Sequence, residues 1–374
     1  MIRLERRVET PRWLALGVPV ISIISSVVAG SLLLVATGKD PIDTFSRIVE
    51  RGFTSDGAMS ATMIAATPLL FCGLCAAAAF RMGVFNIGGE GQFIVGAIAA
   101  AWVGLQTGEA LGPGAIALMV VFGAAAGAAW AAIVGALKAW FNTNEIIVSL
   151  MLNYIATNLA YYLIFNSEST WRLLEGSGKQ FPQGRKIHAD AWWPFSHIGS
   201  VDIPFGFWLG VVLAVVTWVL YRKTRYGFEV DVIGEAPRAA RYAGMRTKRK
   251  VVAVMALSGA FAGIGGAADV GDVRHMLDPK GLSAAGYGYT GIVVAALARL
   301  NPIAVVFVAI LLGGLNNAGR ALQGPDFPAG LVGTLQGLIL FFSLGGEVLA
   351  RYRIRNLGRA RAAVAGAMGD GGDE

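Results

Sequence analysis

Long apolar runs, separated by short polar or basic segments, fill most of the chain. Ten of them approach the roughly 20 residues that a helix needs to cross a bilayer. The predicted spans lie at about 13–36, 58–80, 93–107, 115–137, 146–165, 205–221, 251–268, 284–299, 302–319 and 328–347. The third span is short unless the residues before it lengthen the helix. The pattern therefore predicts an all-α, polytopic membrane protein with about ten transmembrane helices.

The segment 41–53 differs from these runs because its apolar residues, such as Ile42, Phe45 and Ile48, recur at helical spacing between polar ones. This spacing predicts an amphipathic helix on the outer membrane surface. We divide the chain into an N-terminal part, 1–57, with the first span and this helix; a transmembrane domain, 58–347, with a long cytoplasmic loop at 222–250; and a basic cytoplasmic tail, 348–374.

Composition and charge placement support the membrane assignment. The chain is 55% hydrophobic and only 15% charged, with a mean hydropathy of +0.59, whereas soluble domains carry about 25% charged residues. Of its 31 Lys and Arg residues, four lie in 1–12, nine in 222–250 and five in 351–361, beside apolar spans. This is the positive-inside pattern, which places both termini in the cytoplasm. We expect no nucleic-acid partner, because no aromatic residues alternate with the basic ones.

The segment 85–97, F-N-I-G-G-E-G-Q-F-I-V-G-A, places Asn86, Glu90 and Gln92 among glycines between two spans. A carboxylate at membrane depth costs about 2.5–3.5 kcal/mol, so it normally faces protein or a wet cavity. Glycine-interrupted helices with polar groups form substrate sites in many transporters. The alternative is a turn near the inner surface whose glutamate caps the next helix, and both interpretations can hold in part. Asn153 and Asn158 of the fifth span complete the candidate substrate path.

Two patterns suggest how the spans pack. The run Ser258–Gly263 has small residues four apart, which favours close helix packing. Gly91–Ala100 resembles Gly286–Ala296, and Gly135–Lys138 resembles Arg320–Gln323. The offset is five spans, so the second to fifth spans and the seventh to tenth would form an inverted repeat. Such repeats place the solute path at their interface.

Enzymatic functions find no support in the sequence. There is no G-x-S-x-G, H-E-x-x-H or Walker motif, so the chain has no nucleophile, zinc or ATPase signature. Cys72 and Cys75 form a C-x-x-C inside an apolar run, where small core residues are the better interpretation than redox or metal chemistry. We therefore expect no catalytic residues, no metal and no cofactor.

The basic segment 226–249 contains a predicted short helix between two spans. Pro237 suits a first helical turn, and Gly244 suits a helix end. Such a helix could dock in a groove on a cytoplasmic partner. The alternative is a surface helix held to anionic lipid by its charges.

Three segments carry a specific resemblance: F-R-M-G-V-F-N-I-G-G-E-G-Q at 80–92, N-E-I-I-V-S-L-M-L-N at 144–153 and I-G-E-A-P-R-A-A-R-Y-A-G at 233–244. The chain resembles permease subunits of ABC importers, in the group that also serves ribose and branched-chain amino acids, and most of all its nucleoside-uptake branch. The similarity covers about 58–345. In importers generally the coupling loop carries E-A-A-x-x-x-G; here Ala239, Ala240 and Gly244 fit that spacing, but Arg238 stands at the glutamate position.

The resemblance implies that the coupling segment is formed by Gly234, Glu235, Pro237, Ala239, Ala240 and Gly244. It also implies a second permease subunit, a cytoplasmic ATP-binding subunit and an outer substrate-binding lipoprotein as partners, in a bacterial inner membrane. The expected function is ATP-driven import of a nucleoside. Alternatives are a simple sugar, a branched-chain amino acid or, in another class, an ion-coupled carrier.

Overall fold

The computed structural model describes residues 2–6, 12–323 and 330–356. Two units can be distinguished, Met1–Pro41 with Gly333–Glu374, and Ile42–Val332. In the first unit, helix α1 spans Arg12–Ala36, and strand β1 (Ile2–Arg6) pairs antiparallel with strand β4 (Tyr352–Asn356). Residues 357–374, which are most of the predicted tail at 348–374, lie outside the described residues.

The second unit contains the remaining helices. They are α2 (Pro41–Val49), α3 (Ala58–Phe80), α4 (Gly89–Leu111), α5 (Gly114–Phe141), α6 (Glu145–Tyr161), α7 (Phe205–Lys223), α8 (Arg225–Glu235), α9 (Pro237–Tyr242), α10 (Thr247–Ala268), α11 (Pro279–Ala285), α12 (Tyr287–Leu297) and α13 (Pro302–Ala321). Helix α14 (Gly330–Arg351) begins in this unit and continues into the first. Short π-helical turns follow α2, α6 and α10, at Glu50–Thr54, Tyr162–Asn166 and Asp269–Arg274.

Within the described residues, seven helices are long and apolar enough to cross a membrane: α3, α4, α5, α6, α7, α10 and α13, with α6 and α10 extended by their π turns. Helices α1 and α14 are 25 and 22 residues long and correspond to the predicted first and last spans. The all-α, polytopic prediction is confirmed. The third span also starts earlier than predicted, because residues 89–92 of the glycine-rich motif form the first turn of α4.

The predicted eighth span, 284–299, is wrong as one continuous helix. Gly286 adopts a left-handed conformation with φ +57°, which separates α11 from α12. Helix α12 has only 11 residues, or about 17 Å at 1.5 Å per residue, against a hydrocarbon core of about 30 Å. Its end is equally sharp, because Arg299 and Leu300 also have positive φ before Asn301 caps α13.

Helix α3 lies at the centre of the second unit, with 89% of its apolar stretch buried. Helix α10 packs against α3 and, on another side, unusually closely against α5. A Cβ atom added to Gly127 would lie 2.2 Å from the carbonyl oxygen of Gly259, and one added to Gly263 would lie 2.1 Å from that of Gly123. The predicted close packing of the Ser258–Gly263 run is therefore confirmed.

The long loop between α6 and α7 forms a cover over one end of this unit. Strands β2 (Phe195–Ile198) and β3 (Val201–Pro204) form a hairpin in it. Trp171 donates a hydrogen bond to the carbonyl of Ile98, and Trp193 is buried. We call this end the hairpin end, and the opposite end, where α8 and α9 lie, the α9 end.

Candidate functional site

The connection between α3 and α4 folds back on itself through two side-chain amides. Asn86 Nδ2 donates to Gln92 Oε1 at 2.9 Å, and Gln92 Nε2 donates to Asn86 Oδ1 at 2.9 Å. Asn86 Oδ1 also accepts from the backbone N–H of Gly88 at 3.0 Å. Both side chains are buried. This pair of amides fixes the turn that precedes α4.

Asn86 also connects this turn to α10 and α3. Its Nδ2 donates to the Ser258 hydroxyl at 2.8 Å, and that hydroxyl donates to the Cys75 carbonyl at 2.6 Å. Sequence reasoning treated Ser258 as a small packing residue only, and no local signal shows that a residue 172 positions away is its partner. Cys75 is a buried core residue, as predicted.

Asn153 and Glu90 bring two further helices to the same turn. Asn153 Oδ1 accepts from Gly91 N at 2.8 Å, and its Nδ2 donates to the Ile87 carbonyl at 3.0 Å. Glu90 Oε2 accepts from Gly288 N, in the first turn of α12, at 2.7 Å. A Cβ atom on Gly288 would lie 2.1 Å from Glu90 N, so only glycine allows this approach. We name Asn86, Glu90, Gln92, Asn153 and Ser258 the buried polar cluster.

The structure does not bring Asn158 to this cluster. Its side chain is exposed and donates to the Tyr154 carbonyl at 2.8 Å. Tyr154 and Tyr162, four residues before and after it, are 64% and 56% exposed. These three residues form a polar stripe on one face of α6 and its π turn. The spacing of four is visible in the sequence, but spacing alone does not show that this face of the helix is exposed.

The short helix predicted at Pro237 is confirmed. Pro237 occupies the first turn of α9, and Gly244, with φ +76°, ends the following turn. Ala240 is fully buried, whereas Glu235, Pro237 and Ala239 are exposed. Two aromatic side chains that the sequence reasoning missed, Tyr242 (98% exposed) and Phe228, add to the exposed surface. The α9 end thus presents a compact helix with aromatic neighbours.

Helix α8 holds this surface against the end of α3. Arg81 Nε and Nη2 donate to the two carboxylate oxygens of Asp231 at 2.6 and 2.9 Å. This hydrogen-bonded carboxylate raises the pKa of Arg81. A Cβ atom on Gly234 would lie 3.1 Å from the Arg81 carbonyl, so α8 packs tightly there. Helix α8 is also tied to α10, because Lys250 donates to Glu229 at 2.7 Å. This bond lowers the pKa of Glu229.

The described residues contain no group of three or more His, Cys, Asp or Glu side chains that could hold a metal ion. The buried polar cluster instead joins elements by hydrogen bonds: α3, α4, α6, α10 and α12 all contribute a donor or an acceptor. A change in the position of any of these helices would have to rearrange it.

Comparisons with known proteins identify the family. The chain is 33% identical to a glucose ABC transporter permease protein of Haloferax volcanii, over 100% of this chain and 98% of that protein. It is 34% identical to a guanosine ABC transporter permease protein of Bacillus subtilis, over 90% and 94%. It is 28% identical to a nucleoside ABC transporter permease protein of Lactococcus lactis, over 87% and 89%.

The family model described as branched-chain amino acid transport system / permease component matches residues 58–344, close to the range over which the sequence motifs suggested a resemblance. The chain therefore belongs to this family of transport-system permease components.

Proposed function

We propose that the chain is the membrane-spanning permease subunit of an ATP-driven importer for nucleosides. The observation that carries this proposal is the α9 surface: a short, capped helix exposed at one end of the bundle and tied to the central helix α3 by Arg81 and Asp231. A helix that is exposed, yet rigidly connected to the core, can transmit movement of a partner to the spans.

The relatives support a nucleoside as the substrate, because guanosine and nucleoside permeases align with most of the chain. A glucose permease aligns at similar identity, so a simple sugar is the second candidate. Uptake of radiolabelled guanosine and glucose by a strain lacking this gene, with and without the gene restored, separates the two. Restored glucose uptake without guanosine uptake would replace the nucleoside assignment.

The buried polar cluster and the α6 stripe have different roles in this proposal. The cluster side chains already bond to one another, so we infer that they hold the start of α4 against α10 and α12 beside the path. Tyr154, Asn158 and Tyr162 instead offer aromatic faces and an amide that remain exposed. Exposed polar groups on a membrane span are unfavourable against lipid and suit a wet path. The solute would therefore move along this stripe.

The importer would include further subunits: a second permease, a cytoplasmic ATP-binding subunit and a substrate-binding lipoprotein outside. The matched family consists of components of transport systems, which supports this assembly. In the proposed complex the ATP-binding subunit receives α9, with Gly234, Glu235, Pro237, Ala239, Ala240 and Gly244 forming or supporting the contact surface. Arg238, at the position where other importers carry glutamate, would make this contact different in charge.

Ala240→Pro tests the coupling role of α9. Proline removes the hydrogen bond from Ala240 N to the Ala236 carbonyl and costs about 3 kcal/mol or more in a helix interior. We expect normal permease abundance and no uptake. The ATP-binding subunit should either fail to co-purify or show no stimulation of its ATP hydrolysis. The comparison is Arg238→Gln with Arg241→Gln, which keeps the helix. A severe effect of the charge variant and full uptake by Ala240→Pro would show that charge alone matters.

We also propose an orientation in the inner membrane, in which the α9 end and both termini face the cytoplasm. The basic residues of 222–250 support it. Because the predicted eighth span is broken, we count α11 and α12 together as one crossing. Reporters fused after Gly199 and Asp278 should be external, and those after Arg246 and Arg299 internal. An external reporter at Arg299 would show that the broken pair does not cross.

A further inference from the structure

Two adjoining grooves open at the α9 end, with volumes of about 590 and 650 Å³. They share Met245, Arg246 and Arg249 in their walls. The first continues towards α8 and Lys250, and the second continues towards Trp140, at the end of α5, and Lys248. The first groove borders the coupling segment at Gly244, whereas no residue of that segment lines the second groove.

The walls of these grooves carry an excess of positive charge. The single carboxylate among the lining residues, Glu229, is already paired with Lys250 at 2.7 Å and with Arg225 at 3.0 Å. Arg246, Lys248 and Arg249 are exposed, and these three make no ion pair with any residue in the described part of the chain. The grooves therefore have the charge complementary to an anion.

The position of the grooves indicates which anion. Trp140 and Phe141 are 54% and 75% exposed beside the second groove, and tryptophan favours the headgroup level of a membrane. Ile133 lies two turns earlier on the same face of α5 and is also exposed. A ligand with an anionic head and apolar tails would place its head among the basic residues and its tails along this face.

We propose that these grooves bind the headgroup of an anionic phospholipid from the inner leaflet. The proposal goes beyond the import function and uses its orientation, with the α9 end inside. The bound headgroup would also affect coupling, because Arg246 directly precedes α10 and follows the left-handed Gly244 that ends α9. An anion held there fixes the start of α10 relative to α9.

The test measures lipid binding directly, using the purified permease complex in nanodiscs. One set contains phosphatidylcholine that carries a photoactivatable group, and the other contains unlabelled phosphatidylcholine with phosphatidylglycerol that carries the same group. We expect crosslinks to the peptides around Trp140 and 245–249. Arg246→Gln with Arg249→Gln should weaken phosphatidylglycerol binding by about twenty-five-fold, taking about fivefold for each basic residue near an anionic surface.

The matched control is Arg238→Gln with Arg241→Gln, which removes the same charge from the neighbouring α9 without touching the groove walls. This control should retain phosphatidylglycerol binding. Equal losses in both variants, or equal binding of photoactivatable phosphatidylcholine, would overturn the proposal. It would also be overturned if the groove variant kept the lipid but lost the ATP-binding subunit, because the surface would then belong to that partner.

A second measurement addresses the coupling effect. ATP hydrolysis by the complex should rise when phosphatidylglycerol is included, and the rise should be absent in the groove variant. A wild-type complex whose ATP hydrolysis ignores the lipid would overturn the coupling part. The crosslinking readout does not depend on any transported solute, so a wrong substrate assignment would leave the lipid result interpretable.

Discussion

Arg81 and Asp231 form a two-point ion pair, Nε to Oδ1 at 2.6 Å and Nη2 to Oδ2 at 2.9 Å, across 150 positions of sequence. Arg81 immediately follows the buried central helix, and Asp231 lies in α8, next to the exposed α9. Paired oxygens on a planar guanidinium fix orientation as well as distance. The pair therefore sets the angle at which α8, and with it α9, leaves the bundle.

The first prediction follows from this geometry. Asp231→Asn removes one partner of the ion pair and leaves a neutral amide that cannot accept both donors of Arg81. The pair is partly exposed, so its contribution to stability should be only about 1 kcal/mol or less. We therefore expect normal membrane abundance. The rate of uptake and the stimulated rate of ATP hydrolysis should both be about fivefold lower.

The control for this variant is Asp43→Asn, which breaks an exposed ion pair with Arg47 inside α2, away from the coupling segment. It should leave uptake unchanged. Unchanged uptake and unchanged stimulated ATP hydrolysis in Asp231→Asn would mean that the ion pair does not position α9.

The second prediction concerns Glu90, whose carboxylate accepts the Gly288 N–H. Glu90→Ala leaves that buried N–H without its acceptor, which costs about 1–3 kcal/mol. We expect a lower Tm of the purified permease and reduced uptake. Glu90→Gln keeps a carbonyl oxygen in place and should recover most of both.

Asn86→Ala should resemble Glu90→Ala, because Asn86 donates to Ser258 and pairs with Gln92. Normal uptake in both alanine variants would reduce the cluster to a passive cap. If Glu90→Gln instead abolishes uptake at normal Tm, the negative charge itself takes part in transport.

The sequence predicts those features that depend on neighbouring residues. Helix α9 is predictable because a proline and a glycine limit it locally. The close packing of the Ser258–Gly263 run is predictable because small residues recur every four positions, but its partner helix, α5, is not. The break at Gly286 was missed because an apolar run continues across it, and hydropathy does not report a left-handed φ. The inverted repeat stays a prediction.

The candidate site was only partly predictable for a different reason. Asn153 and Asn158 lie on one span, so both were assigned to the same path. Five residues rotate a helix by about 140° beyond a full turn, which places the two amides on different faces. The contacts of Asn86 with Ser258 and of Glu90 with Gly288 join residues 172 and 198 positions apart, and local spacing carries no information about them.

The third prediction tests the α5–α10 contact. Gly263→Ala would place a Cβ atom 2.1 Å from the Gly123 carbonyl oxygen, so the helices must separate. Overpacking of this kind costs about 1–3 kcal/mol. We expect a lower Tm and less permease in the membrane. Gly337→Ala, with nothing within 4 Å of its Cβ position, is the matched control. Equal Tm values for the two variants would contradict the close contact.

The fourth prediction concerns pH at the hairpin end. The His275 ring stacks on Trp192 with centroids 4.0 Å apart, and its backbone carbonyl accepts from Ile187 N at 2.8 Å. Burial and the nearby charge of Lys186 lower the pKa of His275. When the loop opens, the ring regains an ordinary pKa of about 6.5. The stacked state is therefore fully stabilised above this value and loses stability as the pH falls through the lowered pKa.

Hydrogen exchange at the amides of Ile187 and Trp193 should therefore speed up as the pH falls below about 6.5, beyond the intrinsic change in exchange rate. His275→Asn removes the titrating ring and keeps a residue that tolerates φ +54°. Its exchange should be faster but no longer depend on pH in this way. If exchange in the wild-type loop changes with pH only as the intrinsic rate does, His275 titration does not control the opening of the loop.

The last prediction concerns the polar stripe on α6. Asn158→Leu replaces an exposed amide on a membrane span by an apolar side chain, which lipid would accept at least as well. If the stripe faces the solute, uptake should fall by about two- to tenfold, the value of one hydrogen bond, while membrane abundance and co-purification of the second permease stay normal. Met151→Leu, at an exposed position earlier on the same helix, should leave uptake unchanged. Tyr162→Phe should be mild and Tyr162→Leu severe if the ring, rather than the hydroxyl, contacts the solute. Unchanged uptake in Asn158→Leu would place the stripe against lipid, and loss of the second permease would place it in the subunit interface.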